Sequence, residues 1–201
     1  MPPRPNLTAM SARFSTLPAA TLDAGIVADI AGDVPGLICD LRSDHAGETG
    51  AVAIYHGILA GSRNRQIRYF AQEHLATERE HLARMEGLLP PSQRSVLLPL
   101  WCVVGWLTGF LPALTGPRAV YATIDAVETF VDRHYEEQVR KLPPYGPGGA
   151  LRALLLACQA DEVHHRDEAR AARMGAGTLI RAWQWLVGTS SALAVKAARR
   201  V

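Results

Sequence analysis

The chain is poor in cysteine and spaces its few badly for covalent or metal chemistry. Cys39, Cys102 and Cys158 are odd in number, far apart and outside any Cys-x-x-Cys pattern. That argues against a disulfide framework or a thiolate metal site and fits a reducing compartment. An excess of one charge is also missing. The net charge is +2, and the basic residues, nineteen arginines among 21, are scattered along the chain. Nucleic acid is therefore not an expected partner. Alternating polar and apolar runs are absent, which leaves no expected strand. The first 22 residues contain no Asp or Glu, hold Arg4 and Arg13 among several Pro, Ser and Thr, and lack the apolar run of a secretory signal. They read as a disordered or transit-like tail.

What is present is a helical domain over 23–201, with 48% hydrophobic and 20% charged residues in the chain. Apolar residues recur with a 3.6 period over roughly 36–62, 65–88, 95–115, 117–142, 148–174 and 177–198, punctuated by Pro and Gly. Short connections between successive helices imply antiparallel neighbours and hence a bundle.

Carboxylates are rarely buried unless something pairs with them. Yet Glu48 falls on the apolar stripe of its helix, with Ala51, Tyr55 and Ile58. Glu78, Glu128 and Glu162 do the same on three further helices. Two of these are followed by a histidine three positions on, Glu78 by His81 and Glu162 by His165, so that each pair can reach one ion. A glutamate from each of two helices plus Glu-x-x-His from each of two others is the ligand set of ferritin-like dinuclear sites. Four carboxylates balance two divalent ions, and oxygen and imidazole donors suit Fe or Mn, with Zn also admitted. Asp161 and His164 share the same spacing but point about a quarter turn away.

The pattern is repeated. Glu48 to Glu128 is 80 positions, while Glu78 to Glu162 and His81 to His165 are each 84. Tyr55 and Tyr135 each lie seven residues after the first type of glutamate. The chain thus reads as two pseudo-symmetric helix hairpins. Between them, 23 uncharged residues separate Arg94 from Arg118, a length that could span a bilayer. A crossing would put the two half-sites on opposite sides of the membrane. A shared site requires segment 95–117 to lie along the bundle or dip into one leaflet, as a membrane-associating surface.

The stretches "LRSDHAGETGAVAIYHG", "EREHL", "LPLWCVVGWLTG", "AVETFVDRHYEEQVRKL" and "DEVHHRDEA" resemble, in order and separation, the Coq7 family of demethoxyubiquinone hydroxylases. The resemblance runs from about Leu37 to the C-terminus and fills every metal-ligand position of that family. It implies an all-α, ferritin-like four-helix bundle with an additional apolar crossover helix and a C-terminal helix. It implies two iron ions held by Glu48, Glu78, His81, Glu128, Glu162 and His165, and electrons originating from NADH. No NAD-binding fingerprint occurs in the chain. The implied substrate is a polyprenylated quinone, with His134 and Tyr135 beside it as catalytic residues. Membrane lipid, other ubiquinone-biosynthesis proteins and a lipid-binding partner are the implied partners. The implied location is peripheral, on the cytoplasmic face of a bacterial inner membrane or the matrix side of a mitochondrial one. Asp161, beside a ligand, and Asp44, one turn before Glu48, are candidates for orienting a histidine. The competing readings are an iron-handling protein without organic substrate and a non-catalytic, membrane-associated bundle.

Overall fold

The computed structural model describes residues 22–173, 175 and 177–201, so all of the expected tail but Leu22 lies outside the described residues. Among those residues there are seven α-helices and no strand. They are α1 (Ala24–Ile30), α2 (Leu37–Gly61), α3 (Arg65–Leu88), α4 (Leu98–Thr115), α5 (Pro117–Val139), α6 (Gly146–Ala172) and α7 (Thr178–Ala198). Six follow the periodic segments. The short α1 escapes the sequence reading because seven residues are only two turns.

Local chemistry sets the boundaries. Asp23 Oδ1 accepts from the N–H groups of Gly25 and Ile26, capping α1, and Asn64 Oδ1 caps α3 through Gln66 and Ile67. The apolar segment becomes helical only at Leu98, three residues later than expected. Pro91–Gln93 form a 3-10 turn, and the Ser95 hydroxyl accepts from Leu97 N–H. Helix α5 stops at Val139 rather than 142. Leu142 precedes Pro143, whose ring disfavours a helical conformation at the residue before it. Gly116, at φ 117°, breaks α4 from α5, and Pro117 opens α5 where no N–H partner is needed.

Helices α2 and α3 form one hairpin, α5 and α6 the other, and the two hairpins together make the four-helix bundle. Helix α4 packs along α2 and touches α5, and α7 lies on α5 and α2. The α2–α4 contact is backbone on backbone. A Cβ on Gly109 would stand 1.9 Å from Ile54 O, and one on Gly57 2.1 Å from Trp106 O. By length and composition α4 could cross a membrane. Here it lies beside the bundle, buries little beyond Gly105, Gly109, Pro112 and Ala113, and leaves both half-sites on one side.

Two apolar clusters fill the bundle interior. One gathers Leu37, Leu41, Met85, Val139 and Leu155. The other gathers Ile58, Ile67, Phe70, Ile124 and Ala169. The buried glutamates occupy mid-helix positions between these two sets, so the polar layer is sealed at both ends.

Candidate metal centre

The six residues expected as ligands converge. Glu48 comes from α2, Glu78 and His81 from α3, Glu128 from α5, and Glu162 and His165 from α6. All are buried, with no more than 4% of each residue exposed. Their donor atoms form two overlapping groups, each within 4.8 Å: Glu48, Glu78, His81 and Glu162, then Glu78, Glu128, Glu162 and His165. Glu78 and Glu162 belong to both groups. The two carboxylates of the Glu-x-x-His motifs are thus the shared ones, and Glu48 and Glu128 serve one group each.

Both imidazoles turn Nδ1 inward. His81 Nδ1 lies 3.0 Å from Glu162 Oε1 and 3.8 Å from Glu48 Oε2. His165 Nδ1 lies 3.1 Å from Glu78 Oε1 and 3.4 Å from Glu162 Oε2. Asp161 stands 3.1 Å from His81 Nε2, outside the cluster. A carboxylate can only accept there, so Nε2 donates and Nδ1 is left to face the other donors.

Four carboxylates at this spacing cannot all be charged without cations. Burial, aided by neighbouring glutamates, pushes Glu48 and Glu128 well above the usual carboxylate range. Burial also disfavours the Glu162 anion, but the close His165 and His81 imidazoles outweigh it and hold this group low. Against the same burial, Glu162 and Glu78 raise His165 to about 10. Protons therefore stand in for the missing positive charge. Even so, Glu78 Oε1 and Oε2, Glu162 Oε2 and His165 Nδ1 are buried without hydrogen bonds. Orphaned acceptors of this kind call for an ion. The donor set of carboxylate oxygens and imidazole nitrogens fits two divalent metals of the Fe, Mn or Zn type.

The remaining expected residues lie on one flank. Tyr135 is buried and donates to Glu48 Oε1 at 2.5 Å. His134 Nε2 lies 3.0 Å from Asp44 Oδ1, which also accepts from Gln138. Asp44 thus meets His134 rather than a ring of the cluster. Tyr135, His134 and Asp44 adjoin a largely apolar cavity of about 150 Å³ between α2, α4, α5 and α7. Its inner wall includes Glu48, Glu78, Glu128 and Glu162, and its outer wall includes Val104 and Thr108 of α4 and Ser190 and Ser191 of α7. On the same two helices, Leu100, Val103, Leu107 and Leu111 of α4 and Trp185, Leu186 and Leu193 of α7 are exposed.

Some neighbours were not singled out from the sequence. His74 sets its ring edge-on to His165 with centroids 4.0 Å apart. The Cys158 thiol, buried beside His81, has its pKa pushed up by burial. These two occupy equivalent places in the 84-residue repeat, one turn before each Glu-x-x-His motif, and that equivalence is the signal that could have found them. Arg199, just past the end of α7, and Lys141 pair with the buried Asp40.

Bundle, buried glutamates and paired Glu-x-x-His motifs define the ferritin-like class of helical protein. Within that class the chain belongs to the COQ7 family: the model for ubiquinone biosynthesis protein COQ7 matches residues 37–198. It is 35% identical over 128 residues to the NADPH-dependent 3-demethoxyubiquinone 3-hydroxylase, mitochondrial, of Dictyostelium discoideum, covering 62% of this chain and 59% of that protein. It is 37% identical over 130 residues to the 3-demethoxyubiquinol 3-hydroxylase of Rhodospirillum rubrum, covering 63% and 60%. A mitochondrial relative of the first name, from Caenorhabditis elegans, is 28% identical over 165 residues, covering 80% and 88%. The chain spans about three-fifths of the length of the first two.

Proposed function

We propose that this chain hydroxylates the ring of a polyprenylated demethoxyubiquinol, with two irons held by Glu48, Glu78, His81, Glu128, Glu162 and His165. The observation that carries the reading is the cavity. It has the four glutamates at its inner wall and reaches the surface between two helices with exposed apolar side chains. An apolar cavity of about 150 Å³ accepts a benzene-sized ring, and the exposed flanks of α4 and α7 offer a path for an isoprenoid tail. When bound, the iron pair supplies activation of oxygen. The protein's own residues keep the ring dry, present it to the metal-bearing wall, and set His134 and Tyr135 beside it. The names of the relatives support the substrate class.

The reducing equivalents come from a nicotinamide dinucleotide; one relative is named as NADPH-dependent, while the resemblance implies NADH. Chain 23–201 acts as one domain on a quinone-bearing membrane, with 95–117 against lipid. Our reading is the cytoplasmic face of a bacterial inner membrane. The mitochondrial inner membrane is the alternative that two relatives' names support.

The test is anaerobic loading with iron(II), addition of a short-tailed demethoxyubiquinol, and exposure to isotopically labelled oxygen. The reading expects hydroxylated quinol carrying one labelled oxygen atom. Iron oxidation with unchanged quinol would instead assign the chain to iron handling.

A further inference from the structure

Asp44 is buried, and its Oδ1 lies 3.0 Å from His134 Nε2 and 2.6 Å from the Gln138 amide nitrogen. Ser43 Oγ lies 3.1 Å from the same ring nitrogen. Its own hydrogen goes to the Asp40 carbonyl at 2.6 Å, so it too presents a lone pair to the ring. The Gln138 amide nitrogen, 3.0 Å from that ring nitrogen, gives one of its two hydrogens to Asp44. The Asp44 carboxylate and the Ser43 lone pair face that nitrogen against the one remaining Gln138 N–H, and the charged acceptor decides the tautomer: Nε2 carries the hydrogen and donates to Asp44, and Nδ1 keeps its lone pair. Asp44, Ser43, His134 and Glu48 line the same cavity.

We propose that Asp44 is a positioning residue: it holds His134 in the Nε2–H form so that Nδ1 takes the hydroxyl proton of a quinol in the cavity. This rests on the quinol-hydroxylase reading above. The step is a proton transfer only. The quinol O–H bond breaks, its electron pair stays on oxygen, and an N–H bond forms at Nδ1. The resulting imidazolium faces the Asp44 carboxylate across the existing hydrogen bond. The quinolate is more electron-rich at the ring carbons than the quinol, which prepares the ring for hydroxylation, and this step consumes no oxidant.

Two measurements test it. Ring-nitrogen spectra of the zinc-loaded, ¹⁵N-histidine protein, assigned with His134→Gln, should show Nε2 protonated and Nδ1 bare. A hydrogen on Nδ1 instead would overturn the inference whatever the turnover, and this measurement decides even if the variant below fails to fold. In the iron-loaded enzyme, Asp44→Asn should lower kcat by about 10²–10⁴, the usual worth of general acid–base catalysis, with KM and iron content unchanged. An Asp44→Asn enzyme as active as wild type, or one that loses activity only in proportion to lost iron, would overturn it. A wild type that binds iron and leaves the quinol unaltered would sink the hydroxylase reading itself, which is a different result.

Discussion

Tyr135 donates its hydroxyl to Glu48 Oε1 across 2.5 Å, tying α5 to α2 in the bundle interior. Tyr55, its counterpart 80 positions earlier, is equally buried, but its hydroxyl has no hydrogen-bond partner. The repeat is therefore symmetric in residues and asymmetric in bonding. Removing the two hydroxyls should have unequal consequences. Tyr135→Phe should cost about 1–2 kcal/mol in urea unfolding of the metal-free protein. Tyr55→Phe should cost less than about 0.5 kcal/mol or stabilise, since it removes an unsatisfied buried group. Equal losses would mean that Tyr55 has a partner in solution.

Glu78 and Glu162 belong to both donor groups, whereas Glu48 and Glu128 each belong to one. On the two-iron reading proposed above, Glu48→Ala should thus spare the group with Glu128 and His165, lowering iron from about two ions per chain toward about one. Glu162→Ala should remove a donor from both and take the content close to zero. Anaerobic iron(II) loading followed by metal analysis distinguishes these outcomes. If Glu48→Ala and Glu162→Ala lose the same amount, the division into shared and unshared carboxylates is wrong.

In the metal-free protein, protons hold the cluster together. His165 is raised from 6.5 to about 10, so its contribution is complete below 6.5 and is lost as pH rises through about 10. The raised Glu48 and Glu128 act in the same direction, stabilising while protonated and ceasing to do so as pH rises through their elevated values. Glu162, held low, loses its contribution only as pH falls below the ordinary 4.5. The metal-free protein should therefore melt at progressively lower temperature between pH 6.5 and about 10. Zinc replaces those protons, so the loaded protein should show a flatter profile. Thermal melts of both forms check this, and a melting temperature of the metal-free form that rises with pH would contradict it.

The helices and the six converging residues were legible because a buried carboxylate on an apolar stripe is costly, and the same cost recurs at Glu48, Glu78, Glu128 and Glu162. Periodicity says which face a residue occupies. It does not say which residue lies across from it. Hence Asp44 was recognisable as a residue near the site, but its facing of His134 across 90 positions needed the tertiary structure. The sharing of Glu78 and Glu162 is likewise a matter of helix spacing. The course of α4 could be reasoned out only in part: a shared site forbids a crossing between the half-sites, while its seat on α2 depends on contacts at Gly57 and Gly109.

That seat can be tested directly. A methyl on Gly109 would stand 1.9 Å from Ile54 O, a backbone atom that cannot rotate away. Gly109→Ala must push α4 off α2, at about 2–3 kcal/mol for overpacking of this kind. It should also loosen the cavity beside the glutamates, because Val104, Gly105 and Thr108 of α4 form part of its wall. Gly188, within α7, has open space around it: a methyl there would meet nothing within 4 Å. Gly188→Ala should therefore stabilise by about 0.5–1 kcal/mol through helix propensity alone. Urea unfolding of the two variants separates close approach from propensity. An unaffected Gly109→Ala would mean that in solution α4 does not rest on α2, and the apolar helix would then be free to leave the bundle for lipid.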